Sequence, residues 1–275
     1  MRRFLSKFYM LIVFALLYAP IVVLIIFSFN DGGSLNEFSG VSLKWYVELF
    51  NDEEAFTALK NSLILALSSS LISTLIANLC AIGLHYMRNR YIKGSIKAIT
   101  NIPMMNPDIV TGVSMMMLFA GVIKILEARS VSVNLFGFGT MLIAHTTFNL
   151  PYVLLSITPR FNQLDKSLSE AAQDLGCTPA RAFLKVELPE IIPGIISGMI
   201  MAFTLSLDDF VISHFVSSPD FQTLPLYIYN QTVHNVKFSM YALCALIIVI
   251  ILVVLLIVNF AGSVKGQKLQ RRTVR

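Results

Sequence analysis

The chain has 275 residues, of which 56% are hydrophobic and only 13% are charged, a far more apolar composition than soluble domains have. Its formal net charge of +5 would suit a nucleic-acid-binding protein, but the basic residues flank apolar segments and form no single patch with interleaved aromatic residues. Composition therefore excludes a soluble domain, argues against nucleic-acid binding and indicates an integral membrane protein in contact with lipid.

Six apolar segments are long enough to cross a bilayer, since a helix needs about 20 residues to span a hydrocarbon core about 30 Å thick. The predicted spans cover residues 8–29, 60–85, 97–124, 137–159, 191–216 and 238–261. The first is interpreted as a retained helix and not as a signal peptide, because no small-residue cleavage pattern follows Pro20. We predict an all-α, polytopic membrane protein with a single transmembrane domain over residues 1–275.

The distribution of Lys and Arg predicts the topology, because these residues accumulate on the cytoplasmic side of short loops. Sixteen of the 21 lie at the N-terminus, in the loops at 86–97 and 160–190, and in the tail from 265 to 275. Acidic residues crowd the first loop on the opposite side, between 31 and 54. Both termini are therefore expected in the cytoplasm.

The first external loop carries the only tryptophan, Trp45, within a predicted interfacial helix from Leu43 to Phe50. A tryptophan in this position can anchor the helix at the membrane surface as part of an aromatic belt. Its ring can also offer a cation–π contact near the outer mouth of a path through the membrane. The residues alone leave both roles open.

The third predicted span is interrupted near the bilayer midplane by Asn106, Pro107 and Asp108. A charge at this depth costs roughly 3 kcal/mol on insertion scales, so the aspartate requires a stabilising contact or a function. Asn106 and Pro107 are predicted to cap a new half-helix, whose positive N-terminal end would stabilise the carboxylate. Broken membrane helices often present their ends to a bound solute, which also makes Asp108 a candidate binding residue.

Residues 161–190 break the apolar pattern on the predicted cytoplasmic side and are expected to form two short helices. Ser167 and Glu170 stand at capping-box spacing, so the first helix is predicted to begin near Leu168 and to end at Gly176.

The second short helix is predicted to begin with Thr178 as its N-cap and Pro179 in its first turn, and to end at Leu188 and Pro189. A helical hairpin with exposed apolar residues is not needed to span a membrane. It is either a docking surface for another protein or an interfacial connector, and local physical chemistry does not decide between them.

The fifth predicted span contains two adjacent acids, Asp208 and Asp209, in its outer part. A stripe of small residues at helical spacing precedes them, consisting of Gly194, Gly198, Ala202 and Ser206. Asp209 continues this stripe and is expected to face the protein interior, whereas Asp208 lies about 100° around the helix. Adjacent acids repel each other, so we interpret them as compensated by a cation, the alternative being a position near the outer surface.

The cytoplasmic loop resembles the signature loop of the permease subunits of binding-protein-dependent ABC importers. The matching residues stand at E-A-A-x3-G-x9-[IV]-x-L-P spacing: Glu170, Ala171, Ala172, Gly176, Val186, Leu188 and Pro189. The rest of the chain is similar to the spermidine and putrescine permeases of this family, through residues 42–46, 106–108 and 206–210.

This resemblance implies a type I importer permease fold of the MetI kind, in which residues 161–190 carry the helices that couple the permease to its ATPase. It implies that the chain lies in the bacterial cytoplasmic membrane and has three partners. These are a similar but distinct second permease subunit, a cytoplasmic ATPase dimer and an extracytoplasmic substrate-binding protein. The implied cargo is a polyamine, moved by alternating access. The candidate residues of its pathway are Trp45, Asp108, Ser206, Asp208 and Asp209.

No G-x-x-x-x-G-K-[ST] motif for nucleotide binding occurs in the sequence, so ATP and magnesium are expected to be used by the partner ATPase. The three cysteines lack CxxC spacing and the four histidines are far apart, so each histidine is interpreted as a packing or hydrogen-bonding residue. The chain is predicted to be a transport subunit without a bound cofactor or metal, and not an enzyme.

Two alternatives to a polyamine importer are weighed. The same machine could carry another substrate, such as a different organic cation, a phosphonate or an opine. An ATP-independent secondary transporter is the other alternative, with acids that relay protons or ions, and the spacing of the signature loop argues against it.

Overall fold

The computed structural model describes residues 2–32, 37–129, 136–234 and 237–253. These ranges are dominated by α-helices, and the β-type pairings among them are isolated bridges, Asn30 with Val41 and Ser218 with Phe221. The predicted all-α class is confirmed.

The helices are numbered in chain order. They are α1 (Arg2–Phe27), α2 (Lys44–Phe50), α3 (Glu53–Tyr86), α4 (Arg90–Met105), α5 (Asp108–Glu127), α6 (Phe138–Gln163), α7 (Lys166–Asp174), α8 (Pro179–Ala182), α9 (Leu188–Asp208), α10 (Val211–Val216), α11 (Leu224–His234) and α12 (Phe238–Val253). A π-helical turn, Phe183–Glu187, joins α8 to α9.

Five helical segments in the described ranges are long and apolar enough to cross a membrane. They are Ser6–Phe27, Glu53–Tyr86, Asp108–Glu127, Phe138–Gln163 and Pro179–Asp208. The last predicted span, 238–261, coincides with α12 as far as Val253 and then continues outside the described residues. Five of the six predicted spans therefore correspond to apolar helices of sufficient length.

The predicted third span, 97–124, is divided into two helices at the predicted interruption. α4 ends at Met105, Asn106 has an extended backbone with ψ of 142°, and α5 begins at Asp108. Pro107 explains the break, because its ring disfavours the helical conformation of the residue before it and its nitrogen has no hydrogen to donate. The membrane-crossing segment is therefore α5, displaced along the sequence from the predicted span.

The predicted fifth span, 191–216, is also divided. α9 ends at Asp208, Asp209 is extended with ψ of 123°, and α10 restarts at Val211. No proline or glycine lies at this break. Its cause is found in the contacts of the Asp209 side chain, described below.

Cα packing divides the chain into two compact units. Of the described residues, the first comprises those up to Ala55 and from Ile228 to Val253, and the second comprises those between Phe56 and Tyr227. In the first unit, buried Asn30 holds the described segment that precedes α2, because its side-chain amide donates to the Glu37 carbonyl at 2.9 Å and accepts the Ser39 N–H at 3.0 Å. A single domain over residues 1–275 stays a prediction.

Among the described residues of the second unit, two apolar cores are found. One joins α3, α6 and α9 through buried residues that include Ala77, Ala81, Val153, Ile157, Ile191 and Ala202. The other joins α3, α5, α6 and α10 through Leu65, Phe119, Met141, Phe148, Ile212 and Val216.

The small-residue stripe of α9 packs against α6. A Cβ atom on Gly198 would lie 3.0 Å from Val153 Cγ1, and one on Gly194 would lie 3.2 Å from the Ser156 carbonyl oxygen. Contacts this short leave no space for a larger side chain, so glycine at these positions sets the distance between the two helices. Both glycines are buried, as are Ala202 and Ser206.

Candidate functional site

The first helix of the hairpin formed by residues 161–190 begins earlier than predicted. Asp165 is the N-cap of α7, and its carboxylate accepts the Ser167 N–H at 3.0 Å. The prediction that Ser167 and Glu170 form the capping box near Leu168 is wrong, because Asp165 offers a cap two residues upstream and draws Ser167 into the first turn. Hydrogen bonds from Ser167 lower the pKa of the Asp165 carboxyl below its ordinary value.

The end of α7 at Gly176 is confirmed. Gly176 has a φ of +88°, and its N–H bonds to the Gln173 carbonyl at 2.9 Å, while the Cys177 N–H bonds to the Ala172 carbonyl at 3.1 Å. These two bonds form a Schellman motif, which requires the left-handed conformation that glycine adopts at little cost.

The second short helix begins as predicted but does not end as predicted. The Thr178 hydroxyl accepts the Arg181 N–H at 3.4 Å, and Pro179 lies in the first turn. Leu188 and Pro189 do not end it, because the chain continues through the π-helical turn into α9, with the Leu188 N–H bonded to the Phe183 carbonyl. The wider turn shifts the backbone before Pro189, whose ring in a regular α-helix would clash with a preceding carbonyl.

Much of the signature loop is accessible at the protein surface. Glu170, Ala171, Gly176 and Pro189 are exposed, and Ala172, Val186 and Leu188 are half-buried. Apolar side chains accompany them, since Leu175 is 88% exposed and Leu168 and Leu184 are also exposed. A cavity of about 580 Å³ adjoins α7, with Arg88, Lys93, Asp165, Glu170 and Glu187 among its lining residues. This combination of exposed leucines and charged groups is suited to contact with another protein.

Asp209 lies at the break between α9 and α10 and turns inward, as predicted. Its carboxylate accepts the Ile212 N–H at 3.2 Å, the Ser213 N–H at 2.8 Å and the Ser213 hydroxyl at 3.0 Å. These bonds satisfy N–H groups at the start of α10, and the extended backbone of Asp209 is what places the carboxylate over them. Asp208, the preceding residue, is exposed.

His145 on α6 connects the two sides of this break. Its Nδ1 lies 2.6 Å from the Ser206 hydroxyl on α9, and its Nε2 lies 3.2 Å from the Ser213 hydroxyl on α10. Ser69 on α3 donates its hydroxyl to Ser206 at 2.9 Å. The imidazole is buried and hydrogen-bonded, in agreement with the interpretation of the histidines. No sequence motif links His145 with Asp209, so sequence reasoning did not bring these two residues together.

Asp108 begins α5, where the carboxylate is exposed in the first turn of the helix. The predicted cap by Asn106 is wrong: Pro107 occupies the N-cap position and makes no side-chain capping bond. The proline imposes an extended backbone on Asn106, which directs the Asn106 side chain away from the start of the helix. Asn106 instead lines a cavity of about 350 Å³ together with Thr111 and Thr147.

Trp45 belongs to the first compact unit, on the helix Lys44–Phe50, which confirms the predicted helix there, while its interfacial location stays a prediction. Its indole N–H donates to the Asn30 carbonyl at 2.6 Å, and its ring centroid lies 5.2 Å from that of Phe238. The Lys44 ammonium lies 4.9 Å from the ring centroid, so the chain supplies its own cation–π partner.

The structure thus brings together Ser206 and Asp209, through His145, and leaves Asp208 exposed beside them. α5, which carries Asp108, packs against α10, since a Cβ on Gly112 would lie 2.8 Å from Phe215 Cδ2. A pathway role for these residues and for Trp45 stays a prediction.

Comparison with known proteins places the chain in a family. Residues 69–262 match the model of the binding-protein-dependent transport system inner membrane component. The putrescine transport system permease protein PotI of Escherichia coli is 37% identical over 240 residues, covering 87% of this chain and 84% of that protein. The spermidine/putrescine transport system permease protein PotC of Haemophilus influenzae is 37% identical over 247 residues, covering 90% and 92%.

Solved structures confirm the fold. A crystal structure of a bacterial ABC transporter involved in the import of the acidic polysaccharide alginate matches with a TM-score of 0.75 at 17% identity, over 94% of this chain and 95% of that one. The MetNI methionine ABC transporter in an inward-facing conformation matches with a TM-score of 0.58 over 75% of this chain. With an extended family match, close relatives and a shared fold, the chain belongs to the family of inner membrane components of binding-protein-dependent transport systems.

Proposed function

We propose that this chain is a permease subunit of an ATP-driven importer that carries polyamines, with spermidine and putrescine as the substrates to test first. The observation that carries the proposal is the 37% identity with a putrescine permease and a spermidine/putrescine permease over almost the whole chain. Exposed carboxylates at two helix breaks, Asp108 and Asp208, agree with a cationic cargo.

The proposed complex contains a second, similar permease subunit, a cytoplasmic ATPase dimer and an extracytoplasmic binding protein. The hairpin formed by residues 161–190 docks on the ATPase through its exposed leucines and Glu170. Both termini lie in the cytoplasm of a bacterial cell. ATP and magnesium act at the partner, and closure of the ATPase dimer moves the hairpin and turns the permease outward.

Within the membrane, the five candidate pathway residues divide by their contacts. Asp108 and Asp208 are exposed and present charge to a passing cation. Ser206 and Asp209 are engaged with His145 and α10, so their part in transport is to hold the break in a fixed shape. Trp45 lies at the outer end of the proposed pathway, and its ring contacts the Lys44 ammonium and the Phe238 ring.

Uptake of labelled spermidine and putrescine by the complex reconstituted in proteoliposomes tests this function. We expect uptake that requires both the binding protein and ATP, and that stops when the partner ATPase is replaced by a hydrolysis-deficient variant. Uptake of a phosphonate or an opine in place of polyamines would reassign the cargo. Polyamine uptake that persists with the inactive ATPase would instead indicate a secondary transporter.

A further inference from the structure

A buried acid lies where the cytoplasmic hairpin joins the membrane-spanning part of α9. Glu187 is the last residue of the π-helical turn and is only 7% exposed. Its Oε2 accepts a hydrogen bond of 2.7 Å from the hydroxyl of Tyr86, the final residue of α3. A buried carboxylate is costly unless it is paired, so this contact stabilises the side chain in place.

The surroundings of this bond differ on its two sides. Toward the membrane, Phe183 and Leu188 pack against the core formed by α3, α6 and α9. Toward the cytoplasm, Tyr86 and Glu187 line the cavity of about 580 Å³ whose other lining residues include Glu170 and Gln173 of α7. Open space therefore adjoins both the surface that carries the signature residues and the end of α3.

The π-helical turn makes a direct link to α3 mechanically important. A turn with bonds to the fifth residue is a local irregularity, and such irregularities in α-helices often accompany functional sites. If the hairpin were attached only through this turn, part of its displacement would be absorbed by bending there. A hydrogen bond that Glu187 accepts from another helix passes the displacement to that helix as well.

We propose that the Tyr86–Glu187 hydrogen bond is a coupling joint, which transmits movement of the hairpin to α3 and so links ATP hydrolysis to transport. This inference rests on the proposed docking of the hairpin on the ATPase. Tyr86 and Glu187 act here as positioning residues, since neither is among the exposed residues assigned to the docking surface or to the pathway.

Replacing Tyr86 by Phe tests the joint, because it removes the donor hydroxyl and keeps the ring. We expect at least a threefold fall in substrate molecules imported per ATP hydrolysed, with assembly of the complex and basal hydrolysis unchanged. Glu187→Gln keeps an acceptor oxygen, so its ratio of import to hydrolysis should fall less. The double variant should be no worse than Tyr86→Phe alone, since both changes act on one bond.

Two matched controls are available in the chain. Glu190→Gln changes an exposed acid one turn further along α9, and Tyr91→Phe changes a tyrosine that is 74% exposed. Both should keep the wild-type ratio of import to hydrolysis.

The proposed coupling joint would be refuted if Tyr86→Phe left the ratio of import to hydrolysis unchanged. It would also be refuted if the losses of the two single variants added in the double variant. Loss of the ATPase from the complex in both Tyr86→Phe and Glu187→Gln would refute it as well, because the bond would then serve folding alone. A failure of the proposed function is separate from these outcomes, since wild-type proteoliposomes would then show no ATP-dependent uptake.

Discussion

His145 and Asp209 form a buried pair in which imidazole Nε2 lies 3.5 Å from carboxylate Oδ2. The side chains are 1% and 7% exposed, so both are almost entirely removed from solvent. Asp209 bonds to the start of α10, while His145 holds the serines on either side of the break. Together they fix the angle at which the fifth span is divided.

Asp209→Asn should destabilise the protein by about 1–3 kcal/mol, because an amide cannot accept all the hydrogen bonds that the carboxylate accepts from Ile212 and Ser213. Thermal unfolding in detergent measures the change, and uptake per assembled complex should fall with it. Asp208→Asn, at the exposed neighbour, should leave the melting temperature unaltered. Equal melting temperatures for the two variants would contradict the inward role of Asp209.

Asp108→Asn and Asp208→Asn should each lower polyamine uptake on the order of fivefold, the loss expected if one exposed ionic contact contributes about 1 kcal/mol. Membrane insertion and basal ATP hydrolysis should remain, since both side chains are exposed and asparagine has nearly the same shape. Uptake per assembled complex is the quantity to measure. Undiminished transport in both variants would remove the acidic pathway from consideration.

Gly176→Ala should destabilise the hairpin by about 1–2 kcal/mol, because alanine strains the left-handed conformation at φ +88°. Apart from its chain neighbours, no atom of the described residues lies within 4 Å of the added Cβ, so the effect comes from the backbone alone. Co-purification of the ATPase with the permease should decrease. It should decrease less for Gly176→Asn, because asparagine adopts the left-handed conformation more readily than alanine. Gly121→Ala, also without a neighbour within 4 Å, is the control, and an equal loss there would speak against a specific role for Gly176.

Asp165→Ala should weaken α7 and its association with the ATPase, whereas Ser167→Ala should have a smaller effect, because Asp165 is the cap. The pKa of Asp165 is lowered, so its stabilisation is complete above the pKa of the unfolded chain and disappears as pH falls through the folded value. ATPase binding measured from neutral to acidic pH should therefore decline more steeply in the wild type than in Asp165→Ala. Parallel declines would show that the cap does not contribute.

Accessibility labelling tests the orientation in the membrane. A cysteine introduced by Asp52→Cys should react with an impermeant reagent from outside, and one introduced by Lys268→Cys only after the cytoplasmic face is opened. The native cysteines are replaced first. Reaction of both positions from one side would refute an even number of spans.

The spans could be predicted from the sequence because a run of apolar residues is a local property that matches bilayer thickness. The break at Asn106 could also be predicted, because Pro107 disfavours a helical conformation of the residue before it. The break at Asp209 could not, because it depends on the distant side chain of His145. Hydrogen bonds between helices leave no periodic pattern, and this is why the polar contacts of the candidate site required a structure.

The helical hairpin shows a different limit. Gly176 and Thr178 were placed correctly because each satisfies the backbone groups of adjacent residues. Asp165 and Ser167 both fit the requirements of an N-cap, and the sequence does not rank two suitable caps that lie so close together. The continuation past Pro189 was missed because a proline near a helix end is read as a stop, while a widened turn allows the helix to proceed.

The π-helical turn between α8 and α9 also determines a direction. A regular α-helix advances about 100° per residue, and a π-helical turn holds one more residue between bonded groups than an α-helical turn does. Relative to α9, α8 is therefore rotated by roughly that angle from the orientation that a regular helix would give it. The direction in which the signature surface faces therefore depends on the number of residues in the turn Phe183–Glu187. It does not depend on which side chains that surface carries.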